Sequence, residues 1–146
     1  MALYNTAKSK TCGDIVVAFN TTLRKLTNDL VSQFPNDAVV HRIKKRVHLA
    51  ISEAPVDVIE EVGQVLYGYQ EQIYDSNTAF FLDSDYKKDL SESVNQEKMG
   101  MAEYILPKVK EAWKKSQSST KKFYMSSVQS LLDDYVDYLC LRYPNK

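Results

Sequence analysis

The chain has 146 residues, 44% hydrophobic and 26% charged, enough apolar material for one buried core and too much for a disordered segment. Nineteen basic side chains balance nineteen acidic ones, which argues against a protein that wraps duplex nucleic acid over a large basic surface. Local basic faces remain compatible with that balance, and a net charge near zero mildly favours association.

Residues 1–10 read as a loose polar arm ahead of a single helical domain over 11–146. The arm lacks the apolar run of a secretory signal, and no later run approaches the length of a membrane span, so the expected setting is soluble and intracellular. Thr11 and Asp14 form a capping box, from which a first helix runs over about Cys12 to Gln33. Phe19, Leu23, Leu26, Leu30 and Phe34 recur at spacings of four, three, four and four, so they line one face of it. Pro35 then disfavours helical geometry at Phe34 and marks the stop.

Asn36 or Asp37 caps a second helix to about Glu53, with Val40, Ile43, Val47 and Ile51 as its buried stripe. Pro55 in the first turn and Asp57 near the positive end of the dipole open a third. Val58, Ile59, Val62, Leu66, Tyr69 and Ile73 carry its inner face to about Asp75. Gly63 and Gly68 weaken it, unless close packing uses a missing side chain.

Residues 76–92 lack a clean period and read as a loop with a short turn at most, whose Phe80, Phe81 and Leu82 plug the bundle. Ser93 and Gln96 form a second capping box for a fourth helix carrying Met99, Tyr104, Ile105, Val109 and Trp113. Pro107 inside it predicts a kink or a split. After the polar break at 116–120, capped by a serine or Thr120, a last helix buries Phe123, Tyr124, Val128, Leu131, Leu132, Tyr135, Val136 and Leu139 and ends before Pro144. No segment alternates apolar and polar residues convincingly, so the expected fold is all-α: a single-domain bundle of about five helices with a packed Phe-Phe-Leu loop.

Chemistry is sparse. No glycine-rich phosphate loop occurs, and His41 and His48 lie seven apart without the neighbours a metal site requires, so neither metal nor cofactor is expected. Glu60–Glu61 and Asp133–Asp134 diverge on a helix instead of pairing, and no cysteine has a nearby histidine. The expectation is a protein that is not an enzyme. Cys12 and Cys140 fit two buried thiols better than a disulfide, although touching terminal helices would permit one.

Two basic clusters are candidate contacts for nucleic acid or a partner. Arg42, Lys44, Lys45 and Arg46 surround the second helix's stripe; the simpler account pairs their charges with Asp57, Glu60 and Glu61. Lys114, Lys115, Lys121 and Lys122 interleave with Trp113, Phe123 and Tyr124, an arrangement that can stack bases nonspecifically, though Trp113 and Phe123 also fit the core phase. Ten tyrosines are many for this length, and Tyr67, Tyr74 and Tyr138 are candidates for a protein interface.

At Phe19, Asn20, Thr22, Leu23, Leu26, Leu30, Phe34, Pro35, Lys44, Phe80, Phe81, Leu82, Asp85 and Tyr86 the chain resembles a group of short helical proteins of large eukaryotic DNA viruses. The likeness covers roughly residues 15–90 and is built from packing and capping positions, so it carries no catalytic residue over. What it implies is a viral origin: a virion component or assembly factor, within a virion or an infected cell. The expected partner is then a protein, from a viral assembly or a second copy of the chain, with nonspecific nucleic-acid binding as the alternative.

Overall fold

A capping box starts the chain's first helix: Asp14 N–H donates to Thr11 Oγ1 and Thr11 N–H donates back to Asp14 Oδ2, each over 3.1 Å. The computed structural model describes residues 11–75, 77–82 and 101–143. They form α1 (Cys12–Gln33), α2 (Ala38–Glu53), α3 (Pro55–Tyr67), α4 (Gln70–Asp75), α5 (Asn77–Leu82), α6 (Met101–Lys115) and α7 (Ser118–Arg142), with no strand among the described residues. The expected arm, the Ser93–Gln96 cap, Asp85 and Tyr86 lie outside the described residues. No helix described is long and apolar enough to cross a membrane.

The ridge of α1 is the heart of the core. Phe19, Leu23, Leu26 and Leu30 are all essentially inaccessible, and Phe34 closes the ridge with its N–H bonded to Leu30 O. α7 lies along α1, α3 packs on both, and α2 covers α1 and α3 from the side. α6 touches α1, α2, α3 and α7, while α4 and α5 close over α6 and α7. α7 buries Tyr124, Ser127, Val128, Leu131, Leu132, Tyr135 and Tyr138 against its neighbours and leaves the side that carries Asp133 and Asp137 exposed.

Several expectations need correction. The third helix does not run to Asp75. It stops at Tyr67, where Gly68 and Tyr69 bond back to Val65 O and Leu66 O in tight i→i+3 turns before α4 begins. That break turns Tyr69 onto Phe80, with ring centroids 5.5 Å apart. The Phe-Phe-Leu segment is the helix α5 and not a loop. Its two phenylalanines are fully buried, but Leu82 is 57% exposed, because a short helix can turn only part of its circumference into a crevice. The bundle therefore has seven helical segments among its described residues, not about five.

Pro107 does not split α6, which continues to Lys115 because Ile105, Leu106, Val109, Ala112 and Trp113 bury the face on both sides of it. Gln117 occupies the N-cap of α7, where a serine or threonine was expected, and makes no side-chain capping bond. Cys12 is only partly buried and Cys140 is exposed, and both are free thiols, so the buried-thiol expectation fails for Cys140. With Tyr135 and Tyr138 turned inward, position 140 falls on the outer side of α7.

Candidate interaction surface

Asp37 caps α2 by accepting from Val39 N–H (2.9 Å) and Val40 N–H (3.4 Å), and the same carboxylate accepts from Lys108 Nζ of α6 at 2.8 Å. This bond, first among the causes, holds the Asp37 carboxyl below its ordinary range and raises Lys108. Further along, the Arg46 guanidinium lies 5.4 Å from the centre of the Tyr104 ring. Low numbers on α2 thus meet high numbers on α6, and the two helices run antiparallel.

Between them lies a groove of about 430 Å³. Ile43 and Val47 form its buried floor, while Val39 and Leu49 at its ends are 44% and 56% exposed. Arg42, Lys45 and Arg46 rim it and are exposed; Lys44 of the same cluster is half-buried. The expected pairing of these charges with the third helix is not found. Glu60 accepts from Tyr138 Oη and Glu61 from Met101 N–H, and among the described residues no carboxylate forms an ion pair with Arg42, Lys45 or Arg46. The groove is apolar along its length and basic at its edge.

The second basic cluster is arranged differently. Lys115 lies 4.9 Å from the Phe34 ring centre and Lys121 4.6 Å from that of Trp113, so both ammonium groups sit over aromatic faces of the core. Lys114 and Lys122 are exposed. Trp113 is buried and stacks on Phe81 at 5.2 Å, which removes it as a platform for bases. The antiparallel pairing sets this cluster at the opposite end of α6 from Arg46, with the Asp37–Lys108 bond between.

The tyrosines divide. Tyr67 and Tyr74 are 41% and 44% exposed, and Tyr74 Oη donates to Asp133 Oδ1 at 2.7 Å. Burial, then that bond and the charges of Asp133 and Asp137, raise its pKa. Tyr138 is not an outer-face residue: it is 2% exposed, donates to Glu60, and is pushed up to about 12, first by burial and then by that carboxylate. Tyr124, likewise buried, donates to Asp29. These tyrosine–carboxylate pairs join positions 59 to 95 apart, and no local pattern marks them.

The histidines do not converge. His41 donates Nε2–H to Pro35 O at 2.8 Å, since a carbonyl can only accept. His48 Nε2 meets Thr27 Oγ1 at 3.1 Å; burial, then the charges of Lys44 and Arg24, depress its pKa. Among the described residues no group of three metal-ligating side chains comes together. A second depression of about 510 Å³ lies where α1, α3 and the end of α7 meet, with Arg24 and Arg142 at its edge and neither histidine in its wall.

Exposed Val39 and Leu49 are the functional candidates that the periodicity reading missed. They sit off the 40–43–47–51 stripe, yet with Arg42 and Arg46 they make a second one at spacings of three, four and three, and that was the available signal. Comparisons of the chain with family models, with curated proteins and with solved structures found no match.

Proposed function

We propose that this chain is a non-enzymatic interaction protein that docks onto a protein assembly through the α2–α6 groove. One observation carries the reading: two exposed aliphatic side chains, Val39 and Leu49, bracket Arg42, Lys45 and Arg46 over an apolar floor. Small apolar grooves with charged rims suit helix-in-groove recognition, where burial of a few anchors supplies affinity and the rim sets register. The likeness of residues 15–90 to helical proteins of large DNA viruses supplies the setting, a virion component or assembly factor.

The test is retention. After nuclease treatment and a high-salt wash the native chain stays with its protein assembly, and Leu49→Asp releases it while leaving helix content unchanged. Release by nuclease alone, or retention of the Leu49→Asp variant, would overturn the reading. Arg42, Lys45 and Arg46, exposed and without a carboxylate ion pair among the described residues, favour a second reading, nonspecific binding to nucleic acid. In that case affinity for a mixed-sequence oligonucleotide falls steeply with salt, and the charge-neutral Leu49→Ala leaves it unaltered.

A further inference from the structure

The outer side of α7 carries the chemical complement of the α2 stripe. Asp133, Asp137 and Leu141 are exposed and recur every fourth residue, so they form one line along the helix. Exposed Tyr74 sits beside that line through its bond to Asp133. On α2, Arg42 and Arg46 are also four apart, which gives both pairs the same step of about 6 Å along the axis. Leu49 lies one turn beyond Arg46 and Val39 one turn before Arg42, so Leu141 finds an aliphatic mate whichever way the helices run.

These two stripes cannot meet within one molecule. α1 and α3 each pack against both α2 and α7 and hold the outer sides of those helices apart. From this complementarity we infer that the occupant of the α2–α6 groove is a second copy of the chain, presenting the Asp133–Asp137–Leu141 side of α7. The inference rests on the docking reading above and names its partner. Zero net charge fits it, because the basic and acidic stripes are segregated without leaving the chain charged overall.

The contact is heterologous: each copy offers its groove to one neighbour and its α7 stripe to another. Such a contact continues from copy to copy, as a ring or an open filament, and does not stop at a dimer by symmetry. A nucleic-acid occupant suits the groove less well, since a phosphate backbone would leave Val39 and Leu49 without an apolar mate.

Sedimentation equilibrium of the full chain tests this at concentrations from roughly 10 µM to 1 mM, the range of weak interfaces. The native chain should gain mass above 16.8 kDa with concentration. Arg42→Glu/Arg46→Glu and Asp133→Lys/Asp137→Lys should each remain at monomer mass with native helix content by circular dichroism. Mixed in equal amounts they should restore association, because the native groove of one variant meets the native α7 stripe of the other, and the two charge-reversed faces are again opposite in sign.

A native chain that stays monomeric throughout overturns the inference, as do variants that associate like the native chain. Two folded variants that remain monomeric when mixed, beside an associating native chain, overturn it too. The docking reading fails separately. If the native chain is monomeric yet Leu49→Asp still releases it from its assembly, the second copy is wrong and the groove stands; retention of Leu49→Asp removes both.

Discussion

Tyr135 packs on Gly63, so close that a β-carbon at Gly63 would overlap the tyrosine ring and come within 2.9 Å of Tyr135 Cβ. Here α3 and α7 approach at the one position where α3 has no side chain, and the ring fills the space. In a helix interior alanine is favoured over glycine by about 1 kcal/mol, so Gly63→Ala would stabilise an isolated helix. Overpacking a fitted contact typically costs about 1–3 kcal/mol, and because the clash involves Tyr135 Cβ as well as the ring, a rotamer change cannot relieve it. Gly63→Ala should therefore lower the urea midpoint. Gly13→Ala is the control: its β-carbon meets only Thr11 Oγ1, at an ordinary 3.6 Å, and the variant should be neutral or stabilised.

The tyrosine–carboxylate pairs predict behaviour at high pH. Tyr138 is raised to about 12, and Tyr74 and Tyr124 are raised further, each first by burial and then by its carboxylate partner. In the unfolded chain these phenols ionise near 10.0, so above that pH the unfolded state loses protons that the folded state keeps. The stabilisation is fully present below pH 10.0 and is lost as pH rises toward the folded values. Tyr124→Phe should lose about 1–3 kcal/mol at neutral pH, because Asp29 then lacks its donor, and its stability should fall less steeply in alkali. Urea titrations across the alkaline range check both. An alkaline slope equal to that of the native chain would show that Tyr124 does not contribute.

His48 predicts the opposite end of the scale. Its pKa is depressed below 6.5, first by burial and then by the charges of Lys44 and Arg24. The unfolded chain takes up a proton at a pH where the folded chain still refuses it, so this contribution is present above 6.5 and lost as pH falls below it. His48→Gln, which keeps a polar group near Thr27 Oγ1, should flatten the acid limb of thermal stability between roughly pH 7 and 5. An unchanged limb would place the titration elsewhere.

Much of the fold was legible because it depends on neighbours in sequence. The Thr11–Asp14 box, the Phe34–Pro35 stop and the Phe19–Leu30 ridge are i,i+3 and i,i+4 relationships, which a linear reading can register. The same local rules mark Asp37 as a cap and Val40, Ile43, Val47 and Ile51 as a buried stripe. They misplace α5 because six residues are too few to establish a period, and they extend α3 past Gly68 because a glycine lowers helix stability without stating where the chain turns.

The candidate surface was legible only in part. Arg42, Lys45 and Arg46 stand out as charges, but whether a carboxylate answers them depends on where α3 directs Glu60 and Glu61, and those go to Tyr138 and Met101. Tyr138 looked like an outer residue because tyrosine suits both boundary and core, and the buried bond that settles its place comes from 78 positions away.

The amino-acid order alone determined which of the long stretches coil, where several of them start and stop, and which side of each is oily, since each of these follows from spacings within one or two turns. Only the tertiary structure decided which charged and tyrosine side chains are left exposed. That outcome depends on partners brought together from distant parts of the chain: Lys108 on Asp37, Lys115 on Phe34, and a groove between α2 and α6 that neither helix forms by itself.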